Sequence, residues 1–262
     1  RADLDFQHLL SSWFNRGFLV LRRISWETPA NILEKIIEYE AVHAINDWTE
    51  LRARLEPQDR RCFAFFHPSM PDEPLVFVEV ALTKGIPNSI QSVLSQDRPS
   101  LSGEAADTAV FYSISNCQEG LRGISFGSSL IKQVAADLST ALPNLKTFVT
   151  LSPVPGFAKW VDAEIAKSAN HPGQNLKNDT TIDDELATQL TNYYLSKVKR
   201  NDGLPMDAVA RFHLGNGAEL HATHAKADLS KNGYGQSFGV MVNYLYRLNK
   251  VEANHQAFAE DG

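Results

Sequence analysis

Two nearly uninterrupted apolar runs lie close together in the chain, and they restrict its fold more than any other feature. The first, RCFAFFHP, covers residues 61–68, and the second, LVFVEVALT, covers residues 75–83. The stretch SMPDEP between them contains two prolines and an acidic pair, which favour a turn. Runs rich in Val and Phe are typical of strands that are buried on both faces. The sequence therefore predicts a hairpin of core strands that other elements must cover.

Helix-like and strand-like segments alternate along the rest of the chain. The apolar residues of SSLIKQVAADLSTAL recur with a period of 3.6, which predicts a helix over residues 128–142. Two further helices are predicted from their caps: one begins after Thr28 as N-cap with Pro29 in its first turn, and one begins after Asp47 as N-cap. Other helices are predicted at 3–15, 89–94, 156–167 and 183–200. Further strands are predicted at 18–25, 108–116, 146–152, 218–228 and 238–248. This order predicts a mixed β-sheet covered by helices, in the α+β or α/β class.

The composition restricts the partners and the compartment. A chain of 262 residues suffices for one large domain, or for one domain with a smaller appendage. A net charge of −6 without a basic tract predicts no nucleic-acid partner, and the lack of a membrane-length apolar run predicts no membrane partner. Cys62 and Cys117 lack metal-site spacing, so we expect a reducing compartment such as the cytoplasm. Because helical periodicity is already under way just after Arg1, we also expect a preceding segment.

A glycine-rich turn connects the strand that ends at Asn116 to the helix that contains Leu130. The turn reads QEGLRGISFG, and its glycines allow the backbone to approach a ligand closely. The helix that follows offers free N–H groups and the positive end of its dipole, which suit a pyrophosphate. A turn whose glycines serve only packing fits the same residues. The spacing matches neither a P-loop nor a dinucleotide-binding fingerprint.

The segment LRGISFGSSLI resembles the acyl-CoA pyrophosphate loop of the GNAT acetyltransferase superfamily. Arg122 and Gly127 match the pattern of that loop, and Ser125 replaces its middle glycine. The motifs EAVHAINDWTELRARL, AVFYSIS, QEGLRG, LSPVPGF, FHLGNGA and GVMVNY occur in an order that resembles the malonyl-CoA decarboxylase family over roughly residues 17–250. The resemblance assigns the coenzyme pyrophosphate to Gln118, Glu119, Gly120, Leu121, Arg122, Gly123, Ile124 and Gly127.

The same resemblance implies a domain organisation. It predicts a GNAT-like catalytic domain at 17–262, behind an N-terminal helical domain of which residues 1–16 are the remnant. In such a protein the helical domain makes homo-oligomer contacts. The resemblance also implies malonyl-CoA as the substrate, and no separate cofactor or metal is expected because coenzyme A is part of that substrate.

Ser152 and His213 are the candidate catalytic residues. Pro153 and Pro155 restrict the backbone beside Ser152, so its hydroxyl is held where a strand ends. From the residues alone, a cap for the helix that starts near Gly156 is the favoured role of Ser152, because serine is common at helix starts. The resemblance makes Ser152 the catalytic serine and His213, in RFHLGNGA, the catalytic histidine.

His213 also has alternatives. The turn predicted at Asn216 and Gly217 would place its ring beside an exposed loop, whereas by itself it could be a partly buried histidine that satisfies one backbone group. His221 and His224 are its rivals as proton donor. The spacing of His221 and His224 puts them on opposite faces of a strand, which predicts no metal pair.

The implied reaction needs an enolate to be stabilised and then protonated. Oriented hydrogen-bond donors stabilise such a charge, and a histidine with a pKa near neutrality is expected to supply the proton. One alternative is an acetyltransferase, with Glu79 as the base for an amine acceptor. Another is a coenzyme A sensor that binds without turnover.

Replacing Gly123 by Val tests the glycine-rich turn. Because the added bulk would block a part that both thioesters share, calorimetric affinity for acetyl-CoA and for malonyl-CoA should fall together. Unchanged affinity in a folded Gly123→Val variant would remove this turn from the binding site.

Overall fold

A computed structural model describes residues 19–118, 127–168, 170–178 and 183–261 of the chain. The helix predicted at 3–15 and the expected remnant at 1–16 lie outside the described residues. Contacts between Cα atoms divide the chain into two units. The first contains Arg1–Lys84 and Gln96–Lys146, and the second contains Gly85–Ser95 and Thr147–Gly262.

Strands and helices of both units are numbered in chain order. The strands are β1 (Val20–Ile24), β2 (Arg60–His67), β3 (Met70–Thr83), β4 (Thr108–Asn116), β5 (Thr147–Thr150), β6 (Ser152–Pro153), β7 (Glu219–His224) and β8 (Met241–Leu245). The helices are α1 (Ala30–Tyr39), α2 (Trp48–Leu55), α3 (Ile90–Leu94), α4 (Gly127–Ala141), α5 (Phe157–Lys167), α6 (Gln174–Asn178), α7 (Asp184–Lys197), α8 (Ala208–Gly215), α9 (Lys231–Ser237) and α10 (Val251–Asp261). Among the helices in the described ranges, none is long and apolar enough to cross a membrane.

The first unit is built on the predicted hairpin. Strands β1, β2, β3 and β4 pair in chain order, and each pairing is antiparallel. Every residue of β3 from Pro74 to Leu82 is buried, which confirms the prediction of a core strand. Helix α1 contributes Ile32 and Ile36 to a buried cluster that also contains Phe77 of β3.

Of the two helix caps predicted in this unit, one is confirmed and one is wrong. Asp47 accepts a hydrogen bond from the backbone N–H of Glu50 and caps α2 as predicted. The prediction for Thr28 is wrong, because Pro29 occupies the N-cap position of α1. The Thr28 hydroxyl instead accepts a hydrogen bond from the backbone N–H of Ser25 at 3.0 Å, in the turn before the helix.

The second unit is built around β8. Val149 of β5 pairs with Leu245, and Ser152 of β6 pairs with Val242. The two pairs have the same antiparallel register, so β5 and β6 form one line along one edge of β8. Strand β7 pairs antiparallel along the other edge. The strand predicted at 146–152 is therefore present, with a break in pairing before Ser152.

Four of the described helices in this unit, α6, α8, α9 and α10, were not predicted. Helix α8 carries His213 in its last turn. Asp207 caps α8, because its Oδ1 accepts hydrogen bonds from the N–H groups of Val209 and Ala210, both at 2.9 Å. Its Oδ2 lies 3.4 Å from the backbone nitrogen of Gly156, which donates to it. One buried carboxyl group thus contacts both the start of α8 and the segment that follows Ser152.

The turn after α8 contains Gly217 and packs against α10. Gly217 has φ +83°, a conformation that side chains disfavour. A Cβ atom on Gly217 would lie 2.1 Å from the carbonyl oxygen of Val251. The side-chain amide of Asn254 also donates to the carbonyl oxygen of Gly217 at 3.2 Å. Helix α10 therefore fixes the turn that ends the His213 helix.

Replacing Gly217 by Ala should destabilise the protein well beyond the cost of its backbone conformation. Gly203 offers a matched control, because it has φ +81° and no heavy atom within 4 Å of its would-be Cβ. Denaturant unfolding should show a loss of about 1–2 kcal/mol for Gly203→Ala, from φ alone, and a clearly larger loss for Gly217→Ala. Equal losses would mean that the contact with Val251 does not constrain the turn.

Candidate active site

The second unit brings Ser152 and His213 into direct contact. The Oγ atom of Ser152 lies 3.2 Å from Nε2 of His213. Ser152 comes from β6, where pairing with β8 fixes its backbone, and His213 comes from the last turn of α8. Both side chains are buried, with 6% of Ser152 and 3% of His213 exposed to solvent. Residues 61 positions apart therefore share one buried hydrogen bond.

Ser152 does not cap a helix. Helix α5 begins at Phe157 with Gly156 as N-cap, and no side chain makes a capping hydrogen bond there. The Ser152 hydroxyl instead donates to Oγ1 of Thr150 at 2.8 Å. This geometry excludes the capping role that the sequence alone favoured.

Thr150 is itself held by β8. Its Oγ1 accepts a hydrogen bond from the backbone N–H of Tyr244 at 3.1 Å. Its carbonyl oxygen accepts another from Nδ2 of Asn243 at 2.7 Å. Thr150 and Asn243 are fully buried, so neither bond competes with water.

Two tyrosines of the same strand region surround the imidazole of His213. The hydroxyl of Tyr246 lies 2.8 Å from Nδ1, on the opposite side of the ring from Ser152. The ring of Tyr244 stacks on the imidazole, with centroids 4.7 Å apart and an interplanar angle of 24°. Both imidazole nitrogens therefore have a hydroxyl partner, and one face of the ring is covered.

Burial decides the charge of His213. Removal of the ring from water lowers the pKa of His213 to about 3. The imidazole is therefore neutral at pH 7 in the ligand-free protein. This differs from the near-neutral pKa expected from the sequence, because the sequence suggested a ring beside an exposed turn and the structure buries it in a helix.

The other candidate residues do not join this pair. Glu79, the alternative base, is fully buried in the first unit, where its Oε2 accepts a hydrogen bond from Nη1 of Arg54 at 2.9 Å. Burial raises the pKa of Glu79 to about 7 against the opposing effect of Arg54. Glu79 thus has the structural partner that a lone acid in a strand most often has. His221 is exposed on β7, and His224 contacts the side chain of Asn243.

The residues expected to bind the coenzyme pyrophosphate are only partly described. Glu119, Gly120, Leu121, Arg122, Gly123 and Ile124 lie outside the described residues. Gln118 follows β4, and Gly127 begins α4, so the strand and the helix that flank the turn are both present as predicted. In the parts of the chain that the structure describes, no group of three or more His, Cys, Asp or Glu residues could hold a metal ion.

Sequence reasoning missed Thr150 and Tyr246. Thr150 lies two positions before Ser152, so on an extended segment both hydroxyls project from the same face, and this spacing could have indicated their contact. No comparable signal links Tyr246 to His213, because Tyr246 lies 33 positions later in the chain and three elements, β7, α9 and β8, come between them.

Known proteins are similar to this chain in both sequence and fold. The family model of the malonyl-CoA decarboxylase C-terminal domain matches residues 17–262. A mitochondrial malonyl-CoA decarboxylase of the goose Anser anser anser is 37% identical in an alignment of 290 positions that covers 96% of this chain and 57% of the goose protein. The mitochondrial malonyl-CoA decarboxylase of Rattus norvegicus is 38% identical, over 94% of this chain and 57% of the rat protein. The chain thus spans just over half the length of these relatives.

Solved structures agree with the sequence comparison. The malonyl-CoA decarboxylase of Rhodopseudomonas palustris is 54% identical with a TM-score of 0.92, over 99% of this chain and 67% of that one. The GNAT-like decarboxylase GphF, in complex with isobutyryl-CoA, has a TM-score of 0.58 at 17% identity, over 87% of this chain and 98% of that one. At that identity the likeness shows the fold alone. It confirms the prediction of a GNAT-like, mixed-sheet α+β fold.

The depressed pKa of His213 has a consequence for stability. In the unfolded chain histidine titrates near pH 6.5, so between pH 6.5 and 3 the unfolded state binds a proton that the folded state does not. This contribution to stability is complete above pH 6.5 and is lost as the pH falls toward 3. From pH 7 to pH 5 the loss is about 2 kcal/mol.

Urea unfolding of the wild type and of His213→Gln at pH 7 and pH 5 measures this loss. The wild type should lose about 2 kcal/mol more than His213→Gln, which has no imidazole to titrate. Equal losses for the two proteins would show that His213 titrates normally in the folded state.

Proposed function

The chain belongs to the malonyl-CoA decarboxylase family, and we propose that it converts malonyl-CoA to acetyl-CoA and CO2, which makes it a carboxy-lyase. The observation that carries this proposal is the buried hydrogen bond between Ser152 and His213. It supplies a hydroxyl and an imidazole side by side in a place from which water is excluded. An enolate intermediate needs this combination, because it must be stabilised by fixed donors and then protonated at carbon.

His213 is the proposed proton donor. In the ligand-free protein its ring is neutral, because burial disfavours the charged form. A malonyl carboxylate placed beside the ring opposes that effect, since a neighbouring negative charge favours the imidazolium. The ring therefore takes up a proton from solvent when the anionic substrate is bound.

The steps then balance in atoms and charge. The bond between the carboxylate carbon and the methylene carbon breaks, CO2 leaves, and the electron pair remains as the thioester enolate. The imidazolium gives its Nε2 proton to the methylene carbon and becomes neutral again. One proton is consumed for each malonyl group.

Ser152 is the proposed partner of the reacting group. Its hydroxyl can turn from Thr150 toward the malonyl carboxylate, and a hydrogen bond there would hold the carboxylate out of the plane of the thioester. In that orientation the breaking bond overlaps the carbonyl π system, so the developing charge is delocalised. Tyr246 positions the imidazole from the other side through its contact with Nδ1.

Several finer expectations belong to the same proposal. The turn at 118–127 binds the pyrophosphate of coenzyme A, which is part of the substrate and not a separate cofactor. The whole protein forms homo-oligomers through an N-terminal helical domain. The curated relatives are named as mitochondrial, so the reducing compartment that we propose is the mitochondrial matrix or the cytoplasm.

One assay separates this function from its alternatives. The purified chain is mixed with malonyl-CoA and no amine acceptor, and acetyl-CoA and CO2 are measured. We expect both products in equal amounts. Binding of malonyl-CoA without either product would favour a coenzyme A sensor, and acetyl transfer to an added amine without decarboxylation would favour an acetyltransferase.

Removal of either side chain of the pair should abolish most turnover without loss of the fold. Loss of one positioned acid–base group lowers kcat by about 10²–10⁴-fold, so we expect this for His213→Ala. Ser152→Ala should also lose most of its turnover, while its affinity for acetyl-CoA stays almost unchanged, because the missing contact involves the carboxylate that acetyl-CoA lacks. Ser152→Thr should be impaired as well, because its methyl group crowds the site.

Ser237→Ala is the matched control for Ser152→Ala. Ser237 is buried in α9 and its hydroxyl donates to the carbonyl oxygen of Val240 at 2.7 Å. Its replacement should cost stability and leave kcat unchanged. A fully active Ser152→Ala would remove this serine from the reaction, and a fully active His213→Ala would move the proton donor elsewhere.

A further inference from the structure

Thr150 makes the closest hydrogen bond to the Ser152 hydroxyl. The two oxygens are 2.8 Å apart, and the geometry makes Ser152 the donor and Thr150 the acceptor. The distance from Ser152 Oγ to His213 Nε2 is longer, at 3.2 Å. Because a serine hydroxyl has one hydrogen, the hydrogen committed to Thr150 is not available for His213.

The hydrogen bond from Ser152 to Thr150 determines which nitrogen of His213 carries a hydrogen. With its own hydrogen on Thr150, Ser152 can only accept in its contact with His213, so Nε2 must be the donor. A neutral imidazole has one N–H group, and Nδ1 is then an acceptor. The Tyr246 hydroxyl, 2.8 Å away, donates to Nδ1. The hydrogen bonds therefore run in one direction, from Tyr246 to His213 to Ser152 to Thr150.

The backbone of β8 keeps Thr150 in place as the end of this chain of hydrogen bonds. The N–H of Tyr244 donates to Oγ1 of Thr150, and the amide of Asn243 donates to its carbonyl oxygen. All three residues are fully buried. Thr150 is thus held from two sides, and its oxygen presents a fixed acceptor to Ser152.

We propose that Thr150 is a positioning residue that, by accepting the Ser152 hydrogen, keeps the hydrogen of the neutral His213 imidazole on Nε2, the atom that faces the reacting group. Thr150 does not itself touch the substrate. It acts through Ser152 and His213, so the hydrogen at the donating nitrogen is in place before substrate binds. The consequence for turnover rests on the proposed function, whereas the consequence for the imidazole does not.

The test reads the tautomer directly in the ligand-free protein. Chemical shifts of ¹⁵N-labelled histidine rings at neutral pH show which nitrogen carries the hydrogen, and the His213→Gln spectrum assigns the signals. The wild type and Thr150→Ser, which keeps the hydroxyl, should have the hydrogen on Nε2. In Thr150→Val the Ser152 hydroxyl loses its acceptor and turns to Nε2, so the hydrogen should move to Nδ1.

Turnover should also fall in Thr150→Val, because the Ser152 hydroxyl then donates to Nε2 and must be displaced before that nitrogen can take up the proton that the imidazolium gives. We expect kcat of Thr150→Val to fall about 10²-fold and that of Thr150→Ser to stay near the wild-type value. Thr191→Val is the matched control, because Thr191 is also fully buried and donates to the carbonyl oxygen of Ala187 at 2.8 Å. It should lose stability but keep both the tautomer and kcat.

Each outcome of these measurements either supports or contradicts the proposed role of Thr150. A wild-type hydrogen on Nδ1, or a folded Thr150→Val with the hydrogen still on Nε2, would overturn it. If Thr150→Val does not fold, Thr150→Ala removes the same hydroxyl from a smaller side chain and is judged in the same way. A wild type that does not decarboxylate malonyl-CoA would contradict the proposed function, and the tautomer would still decide the role of Thr150.

Discussion

The hydrogen bond between Ser152 and His213 is the interaction on which the account of this protein depends. It joins a strand and a helix that are far apart in the chain, and it exists only if both backbones are fixed. Pairing with β8 fixes Ser152, and the Asp207 cap and the Gly217 turn fix the two ends of the His213 helix. A small error in either segment would separate the two atoms, so much of the second unit serves to hold this one contact.

Burial gives this contact its chemical character. An exposed histidine would be partly protonated at neutral pH, whereas His213 is held neutral because its surroundings do not stabilise a charge. The same lack of water strengthens every hydrogen bond around it. A site of this kind responds strongly to an incoming anion, since the charge of a malonyl carboxylate is not screened there. Neutrality in the free protein is therefore compatible with proton donation in the complex.

The sequence predicted most of the fold, because the core strands carry long apolar runs and helix α4 carries a regular apolar period. It predicted less of the second unit, where α6, α8 and α9 contain eight residues or fewer and α10 has only a weak apolar period. Ser152 and His213 were identified through a resemblance to a family, since local physics favoured a helix cap for the one and a structural role for the other. Their contact could not be predicted, because it depends on how β8 aligns segments that are distant in sequence.

A crystal structure with a malonyl-CoA analogue that cannot lose CO2, such as one with a sulfonate in place of the carboxylate, tests the central claim most directly. The account predicts that the sulfonate or the thioester oxygen lies about 3 Å from Ser152 Oγ, with His213 Nε2 directed at the carbon between them. An analogue whose acyl end is bound away from both residues would contradict the claim that this pair carries out the reaction.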